Sequence, residues 1–496
     1  MKFSRFVSCL AFLLFASTCF SQQMYTVTQL GTVAVSGIDP WSFPLDINNS
    51  GQVVGYTYSG TPSHAFRTAP NMPINPETDD LGPYPGWISG AVGINDSGQV
   101  AGNAYKSDYT AGFAFRTAPN SPINPATDDI GTFSGYWSIA TGINSSGQIV
   151  GTNSNFLGLY PNPSYHAFRT AANMPINPET DDLGTLGGMT SSATAINDSG
   201  QVVGTSDVSG PTAAHAFRTA PNSRINPATD DLGTLYPGYS VGTYATSIND
   251  SGQVVGYSMG QLSENLFIVH GFRTAPNRPI NPATDDLGSL PPPDWQVGGW
   301  SSALDINASG EVVGYSIVGT KYRAFIYSGG TMHDLNDLIP PDPDLRYRYL
   351  MFATAINDVG QIVGYRADAG TYDTYSGYLL TPIYRASVQQ PINADGSSVF
   401  STKRGVVPVK FAVTQYGTQP SCALPATIAI ARIAGGTLGS IDDNTYSMNS
   451  DNGSKFRIEG CKYAYNLAAS SLGVGAYRVD ISINGIMVGH AVFALK

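Results

Sequence analysis

Charged side chains are scarce in this sequence. They make up 12% of the 496 residues, with 25 Lys and Arg against 36 Asp and Glu, and the formal net charge is −11. Nucleic acids and anionic membranes are bound by clustered Lys and Arg, and the few cations here are scattered along an acidic chain. Neither class of partner is therefore expected, and the acidity is interpreted as an aid to solubility.

Long apolar runs are also missing after the first 21 residues. Residues 1–21 have the pattern of a secretory signal peptide, with a charged start, an apolar run from Phe6 to Phe15 and small residues that end at Ser21. No later segment is apolar for about 18 residues, the length that predicts a membrane helix. The sequence thus predicts a secreted or cell-surface protein without a membrane span, and a monomer is favoured.

Cysteine is rare, with four in the chain. Cys9 and Cys19 fall in the predicted signal peptide, which leaves Cys422 and Cys461. A lone pair in an exported protein favours a disulfide, worth about 3–4 kcal/mol on the chain-entropy estimate, and two buried free thiols are the alternative. A zinc site would need more ligands than this pair supplies.

One sequence motif is abundant. The pattern Ile-Asn-x-x-Gly-x-(Val/Ile)-(Val/Ala)-Gly occurs seven times, at spacings of 47 to 58 residues. Such self-similarity indicates an array of one supersecondary unit. The copies start at Ile47, Ile94, Ile143, Ile196, Ile248, Ile306 and Ile356.

Four short strand signals recur in the first six copies. In the fourth copy they lie at 193–196, 201–204, 215–219 and 230–233. Four strands in a unit of about 40–50 residues are typical of a β-propeller blade. Gly and Pro, at 55 and 33 residues, suit such a turn-rich architecture. We therefore predict an all-β fold in which residues 22–382 form a seven-bladed β-propeller.

The last copy has no fourth strand signal, but the N-terminal segment 25–31 ends in the same Leu-Gly as that strand. We expect this segment to pair with the last blade, because closure removes an exposed sheet edge. Within the first strand of each copy, small residues alternate with bulkier ones. That alternation predicts one small and one bulky face on a sheet that is covered on both sides.

The turn after each Ile is Asn-x-x-Gly, in which glycine supplies a positive φ. A calcium loop is disfavoured because three copies have Asn49, Ser145 or Ala308 where a carboxylate ligand would be needed. We expect no metal and no cofactor. The predicted turn glycines are Gly51, Gly98, Gly147, Gly200, Gly252, Gly310 and Gly360.

Loop lengths vary on only one face of the predicted disc, and functional residues tend to lie on variable loops held by a rigid scaffold. Large amphipathic rings concentrate there and suit a glycan, peptide or aromatic ligand. The alternative is that these rings only fill gaps between blades. The candidate ligand-binding residues are Trp41, Tyr84, Trp87, Tyr136, Trp137, Tyr236, Tyr239, Trp295, Trp300 and Tyr347.

No catalytic constellation is recognisable. Four of the six histidines share one position of the repeat, which favours a structural role over a catalytic one. The repeated Arg and the Asp pairs are interpreted as ion pairs of small individual worth. Asp46 and Asp305 could reach the central channel, where two carboxylates could serve a glycosidase. The repeated histidines are His64, His166, His215 and His270.

These motifs resemble the HAF-repeat family of probable extracellular proteins. The fourth copy carries its unit as Ile-Asn-Asp-Ser-Gly-Gln-Val-Val-Gly at 196–204 and His-Ala-Phe-Arg at 215–218. Pro-Val-Lys-Phe at 408–411 resembles the motif of PxKF-type domains. The resemblance implies an exported repeat protein with an accessory module, and it implies no catalytic residues.

Residues after 382 are not repetitive. We predict a linker at 383–398 and a disulfide-containing, Ig-like β-sandwich at 399–496, with strands at 406–413, 426–433, 476–483 and 486–494. The predicted function is that of a secreted, non-catalytic binding or adhesion protein, which presents its aromatic loop face to an extracellular glycan or protein. The alternatives are an extracellular polysaccharide hydrolase or lyase that uses the channel carboxylates, and a structural matrix protein without a ligand.

Overall fold

The computed structural model describes residues 24–32, 41–58, 63–82, 87–106, 112–133, 137–154, 165–209, 214–263, 266–291, 299–340, 349–367, 375–415, 419–420, 424–433, 441–442, 450–483 and 486–496. The fold is all-β and consists of many small sheets, in which nearly all strand pairs are antiparallel. Among the described residues, no helix is long and apolar enough to cross a membrane.

Seven small sheets, numbered 1 to 7 in chain order, contain the seven copies of the repeat. Sheet 1 has β2 (Trp41–Ile47), β3 (Val53–Tyr58) and β4 (His64–Arg67), and sheet 2 has β5 (Trp87–Ile94), β6 (Val100–Lys106) and β7 (Gly112–Arg116). Sheet 3 has β8 (Trp137–Ile143), β9 (Ile149–Ser154) and β10 (His166–Arg169), and sheet 4 has β11 (Gly187–Ile196), β12 (Val202–Val208) and β13 (His215–Arg218). Sheet 5 has β14 (Ser240–Ile248), β15 (Val254–Ser263) and β16 (Leu266–Arg273).

The last two sheets have four strands each. Sheet 6 has β17 (Trp300–Ile306), β18 (Val312–Val318), β19 (Lys321–Ser328) and β20 (Thr331–Asp334). Sheet 7 has β21 (Leu350–Ile356), β22 (Ile362–Ala367), β23 (Tyr375–Pro382) and, at its edge, β1 (Tyr25–Gln29). β1 runs antiparallel to β23, with Tyr25 opposite Pro382, so the N-terminal segment pairs with the last repeat as the sequence predicts.

The fourth strand is shorter than predicted in sheets 1 to 5. There the Asp-Asp-Leu-Gly run contributes one isolated antiparallel bridge, as between Phe217 and Asp231 in sheet 4. The second Asp folds back to accept a bond from the glycine two residues on, as Asp231 does from the Gly233 N–H at 2.8 Å. That turn ends the extended backbone after the bridge.

A β-bulge interrupts the first strand of every sheet at the same place. In sheet 4 the bulge lies between Ala193 and Ala195, opposite Gly204, where an added Cβ would collide with the Ser192 carbonyl. Ala193 and Ile196 pack in the same core cluster as a result. The predicted alternation of a small and a bulky face is therefore wrong here, because the extra residue reverses the parity of the strand.

The turn glycines adopt the predicted conformation, with φ between 74° and 83° at all seven. In five turns an added Cβ would also collide with an asparagine side chain of the same repeat, as Asn222 contacts Gly200. A substitution there would have to overcome both the backbone strain and the collision.

The repeat core consists of small clusters that lie between neighbouring sheets. One cluster joins Val150 of sheet 3 to Ala193 and Phe217 of sheet 4, and another joins Ile47 of sheet 1 to Val363 of sheet 7. The phenylalanine of the third strand is fully buried in sheets 1 to 6. Its positions are Phe66, Phe115, Phe168, Phe217, Phe272 and Phe325.

The C-terminal part packs two further sheets around one core. One sheet has β24 (Tyr384–Gln389), β26 (Val406–Gln415), β27 (Gln419–Pro420), β30 (Arg457–Glu459) and β31 (Lys462–Ala468). The other has β25 (Val399–Phe400), β28 (Ala426–Ile433), β29 (Ile441–Asp442), β32 (Gly475–Ile483) and β33 (Ile486–Leu495). Short helical turns are Leu335–Asp337, Thr402–Arg404 and α1 (Ala469–Leu472).

All four strands predicted for the C-terminal part are present, and β24 adds one within the stretch predicted as a linker, where it pairs with β26. Cys461 is disulfide-bonded, while Cys422 lies outside the described residues, so that pairing stays a prediction. The signal peptide at 1–21 also lies outside them, and the domain boundaries stay predictions.

Candidate functional site

Seven asparagines, one from each repeat turn, form a closed circle of hydrogen bonds. The Nδ2 of each donates to the backbone carbonyl of its counterpart in the next sheet at 3.0 to 3.3 Å, and Asn357 of sheet 7 donates to Asn48 of sheet 1. Each Oδ1 also accepts a backbone N–H of its own turn, as Asn197 does from Gln201. The circle therefore fixes every turn and every junction with one residue type. Its members are Asn48, Asn95, Asn144, Asn197, Asn249, Asn307 and Asn357.

Two cavities lie along the centre of this circle. One of about 210 Å³ is lined by the asparagines and the isoleucines before them. The other, of about 200 Å³, is lined by the bulge residues of the first strands, including Asp46 and Asp305. The two carboxylates thus reach the central space, as the sequence suggests.

Near the bulges, a polar side chain forms a hydrogen bond between each pair of neighbouring sheets, and we call this hydrogen bond a tie. In four junctions a threonine hydroxyl donates to a carbonyl of the next sheet at 2.8 to 3.0 Å. In the junction of sheets 2 and 3, the Asn103 amide instead bonds to both backbone groups of Ala140. The threonine ties are Thr141 to Ala193, Thr194 to Ala245, Thr246 to Ala303 and Thr354 to Pro44.

Asp46 and Asp305 supply the ties of the two remaining junctions. Asp46 accepts the N–H of Ile94 in sheet 2, and Asp305 accepts the N–H of Ile356 in sheet 7, both at 2.8 Å. Asp305 also accepts from the Ser247 hydroxyl at 2.6 Å. In these two junctions the carboxylate oxygens accept hydrogen bonds from the next sheet, whereas threonine hydroxyls donate hydrogen bonds to the next sheet in four of the others. The geometry of Asp46 and Asp305 is therefore that of a structural tie.

Asp46 and Asp305 are half-buried, and no described salt bridge involves either of them. Burial, with the charge of Asp305 second, raises the pKa of Asp46 to about 7. Burial likewise raises the pKa of Asp305. Burial without a counterion favours the protonated form of a carboxyl group, so the Asp46 tie responds to pH near neutrality.

The repeated histidines pair with the second Asp of the Asp-Asp run at 2.8 to 3.0 Å. Among the described residues, the repeated arginines form none of the ion pairs expected from the sequence. Arg67 of sheet 1 donates instead to the carbonyls of Gly98 and Ser121 in the next repeat. Both residue types therefore serve the scaffold. The pairs are His64–Asp80, His166–Asp182, His215–Asp231 and His270–Asp286.

A continuous group of nine aromatic rings, which we call the aromatic arc, extends over sheets 6, 7 and 1. Neighbouring ring centroids lie 4.9 to 6.2 Å apart. These distances are those of favourable aromatic pairs. The members are Trp41, Phe43, Tyr56 and Tyr58 of sheet 1, Tyr315 and Tyr322 of sheet 6, and Phe352, Tyr365 and Tyr375 of sheet 7.

No ring of the arc is fully buried, and Tyr58 and Tyr322 are 40% and 38% exposed. Burial raises the pKa of Tyr56 and Tyr315, and it raises that of Tyr365 to about 12. Their hydroxyls therefore stay protonated at neutral pH and can donate hydrogen bonds. A contiguous, partly exposed apolar surface of this kind is a candidate interaction site.

The ten predicted binding residues separate into groups. Trp41 belongs to the arc, whereas Trp87 contacts Phe113 and Trp137 contacts Tyr105 in pairs of their own. Tyr239 and Trp300 are exposed, and Tyr236 lies 6.5 Å from the His270 ring. Tyr84, Tyr136, Trp295 and Tyr347 lie outside the described residues.

Sequence reasoning missed eight members of the arc because it searched the loops. A sequence signal for the arc is the residue that follows the Val-Val-Gly or Ile-Val-Gly run of the second strand. This residue is tyrosine in sheets 5, 6, 7 and 1. Sheets 2, 3 and 4 have polar residues at that position. The two sets are Tyr257, Tyr315, Tyr365 and Tyr56, against Asn103, Thr152 and Thr205.

Comparisons with known proteins leave the function open. Residues 238–367 match a family described as a protein of unknown function, DUF3466, which takes in about a quarter of the chain. No curated protein matches the sequence. The expected HAF-repeat and PxKF-type resemblance is therefore wrong, because DUF3466 is the family that matches within the repeats and neither expected family does.

Two solved structures show distant likeness. One comes from a study of two prolyl endopeptidases, with a TM-score of 0.39 and 12% identity over 77% of this chain and 54% of that one. The other is the extracellular domain of a putative one-component system from B. thetaiotaomicron, with a TM-score of 0.27 and 9% identity over 96% of this chain and 59% of that one. The chain spans little more than half the length of either protein, and neither likeness carries an argument about function.

Proposed function

We propose that this is a secreted, non-catalytic protein that binds an extracellular glycan on the aromatic arc. The single observation that carries the proposal is the continuity of nine partly exposed rings across three sheets. Sugar rings offer an apolar face and hydroxyl groups, and the arc offers ring faces together with protonated tyrosine hydroxyls. Large amphipathic rings of this kind dominate binding energetics.

The proposed scaffold is a seven-bladed β-propeller, completed by β1, with an Ig-like sandwich after it. The closed circle of asparagines supports seven blades around one axis, because each turn bonds to the next and the seventh to the first. Contacts of sheet 7 with both β1 and sheet 1 support closure at that junction. Secretion rests on the signal-peptide pattern of residues 1–21.

The test is affinity electrophoresis of the mature chain in gels that contain a panel of extracellular polysaccharides. We expect retardation in at least one, and the double variant Trp41→Ala, Tyr58→Ala should bind about five- to 150-fold more weakly, since each stacked ring is worth about 0.5–1.5 kcal/mol. Trp87→Ala, which removes a ring outside the arc, is the matched control and should bind as the parent does. Equal losses in both variants, or no retardation in any gel, would contradict the proposal.

A further inference from the structure

Trp300, the first residue of β17, extends the aromatic surface of sheet 6 beyond the arc. It lies opposite Ile317 of β18, and Ile317 lies opposite Tyr322 of β19. Directly paired residues of antiparallel strands point to the same face of a sheet, so these three side chains form one row on the face that carries Tyr322. Trp300 is 44% exposed, and Ile317 is partly exposed. The row therefore joins the Trp300 ring to the sheet 6 end of the arc through apolar surface.

Trp41 has the same place in the repeat at the other end of the arc. Both tryptophans begin the first strand of their sheet, six residues before the isoleucine of the repeat motif, and in both sheets the β-bulge comes after them. Trp41 lies opposite Tyr58, which is an exposed ring, in the way that Trp300 lies opposite Ile317. The aromatic surface that begins at Trp300 thus ends at Trp41 and Tyr58.

The surface between the two tryptophans is long. Four steps of 4.9 to 5.8 Å between ring centroids separate the Tyr322 ring from the Trp41 ring, and they run through Phe352, Tyr365 and Tyr375 of sheet 7. Trp300 lies two strands beyond Tyr322 in sheet 6. A ligand that contacts both tryptophans must therefore cross three sheets, which a single sugar ring is too small to do.

We infer that the glycan bound by the arc is a linear polysaccharide that lies along it, with Trp300 and Trp41 as the two end platforms. This inference rests on the proposed function and narrows it to one class of ligand, an extended chain recognised at several consecutive sugars. Rings that are far apart contribute separately to the free energy of binding, so affinity should rise with the number of sugars until the chain reaches both ends. A ligand recognised at one terminal sugar would gain nothing from length.

The first experiment tests the two end platforms. Affinity gels with β-glucan, xylan, mannan or polygalacturonate identify a polymer that retards the mature chain. Trp300→Ala and Trp41→Ala should each weaken the binding of that polymer about two- to twelvefold, which is the worth of one stacked ring. Trp137→Ala is the matched control and should bind as the parent does, because Trp137 begins the first strand of sheet 3 and its ring contacts Tyr105 outside the arc.

The second experiment tests the length of the ligand. Partial hydrolysis of the same polymer provides its disaccharide and its hexasaccharide for calorimetric titration of the mature chain. We expect the hexasaccharide to bind about tenfold more tightly, and both Trp300→Ala and Trp41→Ala should weaken it, because it reaches both ends. A disaccharide can lie at only one end at a time, so no more than one of the two variants should weaken its binding.

The outcomes separate the two proposals. Equal affinities for the disaccharide and the hexasaccharide, or parental binding by Trp300→Ala, would overturn the extended binding mode and leave glycan binding in place. Equal losses in Trp300→Ala and Trp137→Ala would overturn it too, because the loss would then follow the repeat position and not the arc. If no polymer retards the mature chain, the proposed function fails together with the inference.

Discussion

Sheets 6, 7 and 1, which we call the aromatic half, and sheets 2, 3 and 4, the polar half, have the same backbone plan and different surfaces. Both have the bulge, the asparagine turn and a fully buried aromatic side chain on the third strand, which is phenylalanine except for Tyr378 in sheet 7. They differ after the second-strand glycine, where Tyr56 of sheet 1 corresponds to Thr205 of sheet 4. The positions that build the scaffold are therefore separate from those that shape its surface, which lets one face change while the fold is kept.

The two halves also differ in how their sheets are tied together. Both carboxylate ties, Asp46 and Asp305, come from the aromatic half, whereas the polar half uses Asn103, Thr141 and Thr194. Neutral ties hold at any pH, but the carboxylate ties contain a titratable group. Among the ties, those that titrate are accordingly two: Asp46 between sheets 1 and 2, and Asp305 between sheets 6 and 7.

The largest expected effect tests whether the aromatic half and the polar half depend equally on the buried phenylalanine of the third strand. Phe217→Ala in the polar half and Phe66→Ala in the aromatic half should each lower the free energy of unfolding by about 3–5 kcal/mol, because both side chains are fully buried. Urea unfolding followed by tyrosine and tryptophan fluorescence measures the change. Phe267→Ala, at a residue 41% exposed, is the control with an expected change below about 0.5 kcal/mol. A large difference between the two buried sites would mean that the halves are not equivalent scaffolds.

The second prediction tests the difference between the carboxylate ties and the neutral ties in their response to pH. Because burial raises the pKa of Asp46 to about 7 in the folded state, its contribution to stability is fully present below the unfolded-state pKa near 4. It is lost as the pH rises through about 7, and the loss is on the order of 4 kcal/mol. Asp46→Asn should flatten that part of the curve of stability against pH, measured by urea unfolding from pH 4 to pH 8.

The matched control for Asp46 is Thr194→Val, which removes a neutral tie of the polar half. It should lower stability by about 1 kcal/mol at every pH, as expected for one lost hydrogen bond. An unchanged pH slope in Asp46→Asn would show that the carboxylate does not titrate as described. The same variant also tests the catalytic alternative, which requires loss of any polysaccharide turnover that the parent displays.

The smallest expected effect concerns the histidine pairs, which occur in both halves. The hydrogen bond to Asp231 is the main cause that raises the pKa of His215, so the stability from this pair is fully present below the unfolded-state pKa near 6.5 and is lost as the pH rises through the folded-state value. His215→Asn should cost about 0.5–1 kcal/mol at pH 5.5 and less at pH 8. Thermal unfolding at the two pH values measures this, and an equal cost at both would argue against a charged pair.

Local signals made much of the fold predictable from sequence. The turn Asn-x-x-Gly requires a positive φ, which all seven glycines have, and the Leu-Gly ending of the N-terminal segment identified the pairing of β1 with β23. The alternating C-terminal runs correspond to β26, β28, β32 and β33. The turns and the C-terminal strands depend on residues that are close together in the chain. The distant pairing of β1 was predictable because its Leu-Gly ending supplies the strand signal that the last repeat lacks.

The errors arose where the outcome depends on parity or on neighbours far along the chain. The bulge at Ala193 reverses the side-chain direction, and no composition rule indicates it. The aromatic arc joins Trp41 of sheet 1 to Tyr375 of sheet 7, residues that become neighbours only when the ends of the repeat region meet. The repeated arginines were interpreted as ion-pair partners because charge is visible in a sequence, whereas the carbonyls that they bind are not.

The pairing of Tyr25 with Pro382 places the two ends of the repeat region side by side. In the repeat region taken alone, a short linker could therefore join Pro382 to Tyr25. A circular permutant of this region, with its new chain ends between sheets 3 and 4, would retain every hydrogen bond of the asparagine circle.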